Sequence, residues 1–294
     1  FNNNELSFFA NMGSLAQKIP SSTVFNQVGT KIPLGLQSHA DQFRHLQSAT
    51  PSIRSSTGWF GRMADILENE NSNKDISMNI SLSGNNLLQV GKESLEYSIT
   101  SKGSVGIEIN NQESDLAKTI FKSFNNVLNR SHSDIFEQKY LDVAKIAQRD
   151  HEAFHAATKD KKFKVKFSEH EVSKQFEMAA KAIAASSGLG MKRQTFFIHY
   201  YGWDHHGELL SNHSKMLAVA SKAINEFNSA LKEIGQHNNT MTFTVSDFGR
   251  TLTSNGNGTD HGWGGNSIVM GGGIKGGRVF GQYPSLALNS SLDI

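Results

Sequence analysis

The chain has 294 residues, with 29 Lys and Arg against 27 Asp and Glu, for a formal net charge of +2. Apolar residues make up 37% and charged residues 19%, which is enough for a sizeable core and too apolar for a disordered chain. Balanced charge argues against a nucleic-acid binder acting through bulk charge, no run of 18 apolar residues spans a membrane, and the lack of cysteine excludes disulfides, thiolate metal sites and cysteine nucleophiles.

The chain opens at Phe1 with neither a start methionine nor a signal segment, as a fragment or processed form would. Residues 1–35 are mixed, and Phe8 to Leu15 fits a short strand or a helix. Ser38 to Leu46 reads as a helix opening at a Ser cap. Thr57-Gly58-Trp59-Phe60-Gly61-Arg62 is a Gly-punctuated entry to a second helix, with Met63, Ile66 and Leu67 as its apolar side. Alternation between Ile76 and Ile109, broken at Gly84-Asn85-Asn86, predicts antiparallel strands. Residues 114–158 read as two helices, and Lys159 to Phe167 as a solvated, Lys-rich connection.

The last third is more regular. Val172 to Ala185 predicts a helix, and the apolar run Gln194 to Tyr201 a buried strand. Glu208 to Ile234 keeps one apolar face and predicts a long helix. Thr240 to Val245 and Ser267 to Met270 predict two more buried strands. Strand, helix, strand, loop, strand is a βαβ pattern, hence a parallel sheet with helices on its faces.

In such sheets a site forms at the carboxyl ends of the strands. The first of these strands runs into Gly202-Trp203-Asp204-His205-His206, and the second into Ser246-Asp247-Phe248-Gly249-Arg250. The following loop carries Asp260 and His261, and 12 glycines fall between Gly249 and Gly281, which lets backbone approach a ligand. Asp204, His206, Asp247, Asp260 and His261 can therefore converge. Imidazoles and carboxylates without thiols suit Zn²⁺, Mn²⁺ or Fe²⁺ at a hydrolytic centre.

The block Ser246 to Gly265 resembles the signature of the domain of unknown function 1501 family. Ser38-His39-Ala40-Asp41-Gln42, Thr57 to Arg62, Arg193-Gln194 with Gly202-Trp203-Asp204, and Gly276-Gly277-Arg278 resemble it too, so the likeness covers most of the chain. The family is grouped with the alkaline phosphatase and sulfatase superfamily, and its members commonly carry a twin-arginine export signal. The resemblance implies one alkaline-phosphatase-like domain over residues 1–294. It is α/β, with a mostly parallel sheet sandwiched between helices, a small antiparallel insertion at about 76–109, a helical segment at about 114–158 and an incomplete N-terminus.

The resemblance also implies roles. Its first metal would take Asp204, His206 (or His205) and His261. Its second would take Asp247, but Phe248 stands where the superfamily has His. Its partner Asp would come from a strand upstream of this chain, so residues 1–294 alone should be inactive. Ser38, then Thr57, are the candidate nucleophiles, and Ser38 reads equally as a plain N-cap. Arg250 would pair with anionic ester oxygens. The implied function is metal-dependent hydrolysis of phosphate or sulfate esters in the periplasm or outside the cell. The cofactor would be a divalent metal (Zn, Mn or other), and the substrate a small anionic ester or a sulfated or phosphorylated glycan. The runner-up is a non-catalytic metal-binding or envelope-assembly protein on the same fold. A third reading rests on His151-Glu152-Ala153-Phe154-His155, an H-E-x-x-H motif that on a helix could hold Zn²⁺ in a metalloprotease. It wants a third ligand, and His170 is the near candidate. His213, seven residues beyond His206, is either a supporting partner or a buried core His.

Overall fold

The computed structural model describes residues 1–106, 114–131, 133–283 and 285–291. Leu6–Met12 forms strand β1, settling the segment left open by sequence. A one-turn helix, α1 (Ser22–Phe25), follows. Helix α2 (His39–Ser48) starts at Ser38, whose side chain accepts from the Asp41 amide, and ends where Ala49 turns left-handed. Helix α3 (Trp59–Leu67) begins after Gly58. Its buried residues are Gly61 and Ala64, whereas Met63 and Ile66 are exposed, which reverses the expected apolar side. The reason is close approach. A Cβ on Gly61 would stand 2.0 Å from the carbonyl carbon of Val90, so only the small face of α3 can dock there.

Two short strands, β2 (Asn79–Ser81) and β3 (Tyr97–Ser98), lie within the segment expected to be an antiparallel insertion. That expectation is corrected, since β3, β2 and β4 (Thr195–Phe197) form a three-stranded sheet in that order, with both pairings parallel. The link from β2 to β3 is long enough for a crossover, so parallel pairing is available. Residues 107–109 of the expected insertion lie outside the described residues. Buried Gln89 ties this sheet together. Its side-chain amide donates to the Ile80 carbonyl at 3.2 Å and to the Thr195 hydroxyl at 3.1 Å, and that hydroxyl donates to Asn79 at 2.7 Å.

Two helices, α4 (Asp115–Leu128) and α5 (Ile135–Thr158), fill the expected helical segment. Leu128, Leu141 and Phe154 are buried there, but Leu116, Ile120, Ile135 and Phe136 are exposed. In the Lys-rich connection, Phe163, Val165 and Phe167 pack on the core and the intervening lysines face outward. Helix α6 (Glu171–Ala184) packs against α7 (Leu209–Glu233). Met178, Ala179, Ala182 and Ile183 meet Ile224, Phe227, Ala230 and Leu231, together with Ile76, Ile80, Leu82, Ile99 and Phe154. Burial of each large side chain stabilises the fold by about 1.5–3 kcal/mol.

The expected parallel sheet through the last three strands is also corrected. Strand β5 (Thr242–Phe243) is antiparallel to β8 (Gly265–Met270), and β8 is antiparallel to β1. The second sheet runs β5-β8-β1-β9, with β9 (Val279–Phe280) parallel to β1. No helix lies between β5 and β8, only the hairpin β6 (Gly249–Ser254) and β7 (Thr259–Gly262), so the chain returns antiparallel. Strand β4 ends at Phe197 and sits in the other sheet. Both β4 and β5 are edge strands, and both line one cleft of about 2630 Å³. The molecule is thus mixed α/β with several sheets, one of them wholly parallel. Among the described residues, no helix is long and apolar enough to cross a membrane.

Candidate metal centre

The loop after β4, the loop after β5, the β6–β7 hairpin and the start of α2 meet at one end of this cleft. The hairpin clasps the first loop closely. A Cβ on Gly258 would stand 2.3 Å from the carbonyl carbon of His206, while Thr259 donates to the His205 carbonyl at 3.3 Å and Leu209 to the Asn257 carbonyl at 3.3 Å. Asn255 steadies the same contact, donating to the His206 carbonyl at 3.2 Å.

Asp204 is the centre of the resulting cluster. Its Oδ1 lies 3.1 Å from His206 Nε2 and 3.2 Å from His261 Nε2, and its Oδ2 lies 3.0 Å from His39 Nε2. The two histidine atoms His206 Nε2 and His261 Nε2 are 3.1 Å apart. Arg250 donates to Asp204 Oδ1 and, through its other nitrogens, to the hydroxyl and carbonyl oxygens of Thr259. The Arg250 donors that were expected to meet an ester therefore face protein groups.

The opposite edge of each imidazole carries the chemical information. His39 Nδ1 is 2.5 Å from Asp247 Oδ2, His206 Nδ1 is 3.2 Å from Asp260 Oδ1, and His261 Nδ1 is 2.8 Å from the Gln37 carbonyl. Each of these partners is an acceptor, so a neutral ring can carry its proton on Nδ1, the tautomer that turns an Nε2 lone pair towards Asp204. In that tautomer the Nε2 atoms of His206 and His261 face each other and Asp204 Oδ1, His39 Nε2 faces Oδ2, and Arg250 donates to Oδ1. Such a set repels itself unless a cation or extra protons sit within it. Ligand atoms about 2 Å from a tetrahedral ion stand about 3.3 Å apart, close to the spacings seen. The ligand atoms of His39, Asp204 and His261 all lie within 4.8 Å of one another. The donor set therefore fits a divalent cation, with Asp247, Asp260 and the Gln37 carbonyl as the outer partners that fix ring orientation.

Protons are the competing occupant. Burial works against a charge on His39, but hydrogen bonds to Asp247 and Asp204 outweigh it and raise its pKa above the ordinary histidine value. Burial would raise Asp204, yet His39 and Arg250 hold it below the ordinary carboxylate value.

The residues expected at the site separate into two groups. Asp204, His206, Asp260 and His261 come together, and Asp247 reaches the cluster through His39. His205 turns away, because neighbouring residues in this non-helical loop point to opposite sides. It is buried against His213, 5.7 Å between ring centroids, and its Nε2 has no partner in the structure. Burial, then His213 and Arg250, depress its pKa. His213 packs edge-on to Trp203. Ser38 is the N-cap of α2, next to the cluster in sequence through His39. Thr57 is held by hydrogen bonds with Ser55 and Arg62, neither of which belongs to the cluster. Phe248, where a second-metal histidine was expected, is buried beneath the rings of His39 and His261 at 4.5 and 4.3 Å.

His39 was missed as a site residue. The available signal was its place directly after the Ser38 cap, within the Ser38 to Gln42 segment that shares the family resemblance. The H-E-x-x-H pair lies elsewhere. His151 and His155 share a face of α5, 5.7 Å between ring centroids, and His151 Nδ1 is 2.9 Å from Ser104 Oγ. Among the described residues no third His, Asp or Glu completes a metal set with them. His170 instead caps α6.

A mixed α/β scaffold that gathers three imidazoles around one carboxylate at its loop ends defines a protein class with a candidate metal centre. Residues 2–293 match the family model described as "Protein of unknown function (DUF1501)", and the chain belongs to that family. No curated protein and no solved structure matches it.

Proposed function

We propose that this protein is a divalent-metal-dependent hydrolase of phosphate or sulfate esters, with His39, Asp204, His206 and His261 as the residues that would hold the cation. The observation that carries the reading is the outward anchoring of all three Nδ1 atoms, which leaves three Nε2 atoms turned towards the Asp204 carboxylate. The cation would supply Lewis-acid polarisation of an ester oxygen. Asp247 fixes the His39 ring, Asp260 fixes His206, and Arg250 orients Asp204. Ser38, at the N-terminus of α2 and adjacent to His39, is the candidate nucleophile, with water as the alternative. An alkaline-phosphatase-like arrangement of the sheets and a periplasmic or secreted setting accompany this reading through the family resemblance.

The second reading is a non-catalytic metal-binding member, favoured by Phe248 standing where a second-metal ligand was expected. One assay separates the two. The protein is loaded with Zn²⁺ or Mn²⁺ and given aryl phosphate and aryl sulfate. Metal-dependent turnover that falls at least about 100-fold in Asp204→Asn supports the hydrolase. Tight metal binding without turnover supports the non-catalytic reading, and turnover indifferent to chelator contradicts the metal centre.

A further inference from the structure

Beside the cluster, three rings form a ladder. Phe43 lies four residues after His39 on α2, so it shares that helix face. Its ring stacks on His199 at 5.1 Å and 24°. His199 in turn lies against Tyr201 at 3.7 Å and 34°. The ladder is anchored from behind by the His199 amide, which donates to Ser83 Oγ at 2.8 Å. Its last ring is different, because Tyr201 is 68% exposed although its ring lies against His199. Tyr201, His199, Asp204, His39 and Arg250 all line the same cleft. A rigid aromatic face held open to solvent beside a charged centre is a recognition feature, since aromatic surface is normally buried and preorganised rings bind at little entropic cost.

Resting on the ester reading above, we propose that Tyr201 is a stacking platform for the organic part of the substrate, and that this part is a six-membered ring with a flat C–H or π face, an aryl group or a hexopyranose, and not a linear chain. The ring lies on Tyr201 while its anionic ester group reaches the cluster three residues away in sequence. Tyr201 is thereby a specificity-determining residue that acts on binding.

The test is calorimetric binding of non-hydrolysable ligands to the metal-loaded protein. Phenylphosphonate and a hexopyranosyl phosphonate are compared with n-butylphosphonate, in the wild type and in Tyr201→Phe, Tyr201→Leu and Tyr201→Ala. Stacking predicts that at least one ring ligand binds about fivefold more tightly than the butyl ligand. The better of the two identifies an aryl or a sugar ring. Tyr201→Phe should keep this preference, and Tyr201→Leu and Tyr201→Ala should both lose it. Equal binding of all three ligands by the wild type, or a preference unchanged in Tyr201→Leu, overturns the platform while leaving the ester reading standing. No binding by any of the three overturns both.

Discussion

Asp204 and His206 were legible in the sequence because they sit in a polar, Gly-flanked loop directly after an apolar run, and His261 because it closes a polar, Gly-rich stretch with an Asp-His pair. His39 was not, because it lies more than 160 residues upstream and only tertiary folding brings it to Asp204. The choice between His205 and His206 was also closed to sequence, since it depends on which way two adjacent side chains point. Single residues also explain stability. Asp65 accepts from the amides of Lys92, Glu93 and Ser94 and from the Ser94 hydroxyl. Burial alone would raise its pKa, but these donors lower it to about 2. A depressed carboxylate stabilises the fold above its ordinary value near 3.8, and that contribution fades as pH falls from about 4 towards 2. Asp65→Asn should therefore lose about 1–2 kcal/mol at pH 7 and little at pH 2. Urea melts at the two pH values check this, and an equal loss at both would contradict it.

At the scale of elements, α2, α6 and α7 were readable from a Ser cap and from apolar periodicity, and the two helices of the 114–158 segment likewise. The strands were harder. β2 and β3 span three and two residues, too short for alternation to reveal pairing partner or direction. The reversal between β5 and β8 depends on a hairpin that the sequence shows only as a Gly-rich loop. The Thr57 to Arg62 motif reads at this scale as well. Gly61 lets α3 touch the Val90 backbone, and Arg62 donates to the Ser48 carbonyl at 2.7 Å and the Thr57 carbonyl at 3.1 Å, joining α2 to α3. Gly61→Ala places a methyl against backbone that cannot yield cheaply. It should destabilise by about 2–3 kcal/mol, read as a fall of several degrees in Tm. A Tm within a degree of wild type would mean that α3 does not dock as described.

For the whole molecule, the edge strands β4 and β5, the β6–β7 hairpin and helix α2 bring four distant segments together at a shared cleft. Residues 37–39, 204–206, 247–250 and 260–261 supply every atom of the cluster, and no local signal joins them. The central claim is that they form one metal centre. The most direct measurement is anomalous X-ray diffraction from crystals of the Zn²⁺-loaded protein, with His39→Ala as the companion. The account predicts one metal per chain, within about 2.3 Å of ligand atoms from His39, Asp204, His206 and His261, and at least about tenfold weaker binding in His39→Ala. A fully loaded crystal with no metal there, or with its metal at His151 and His155, would contradict it.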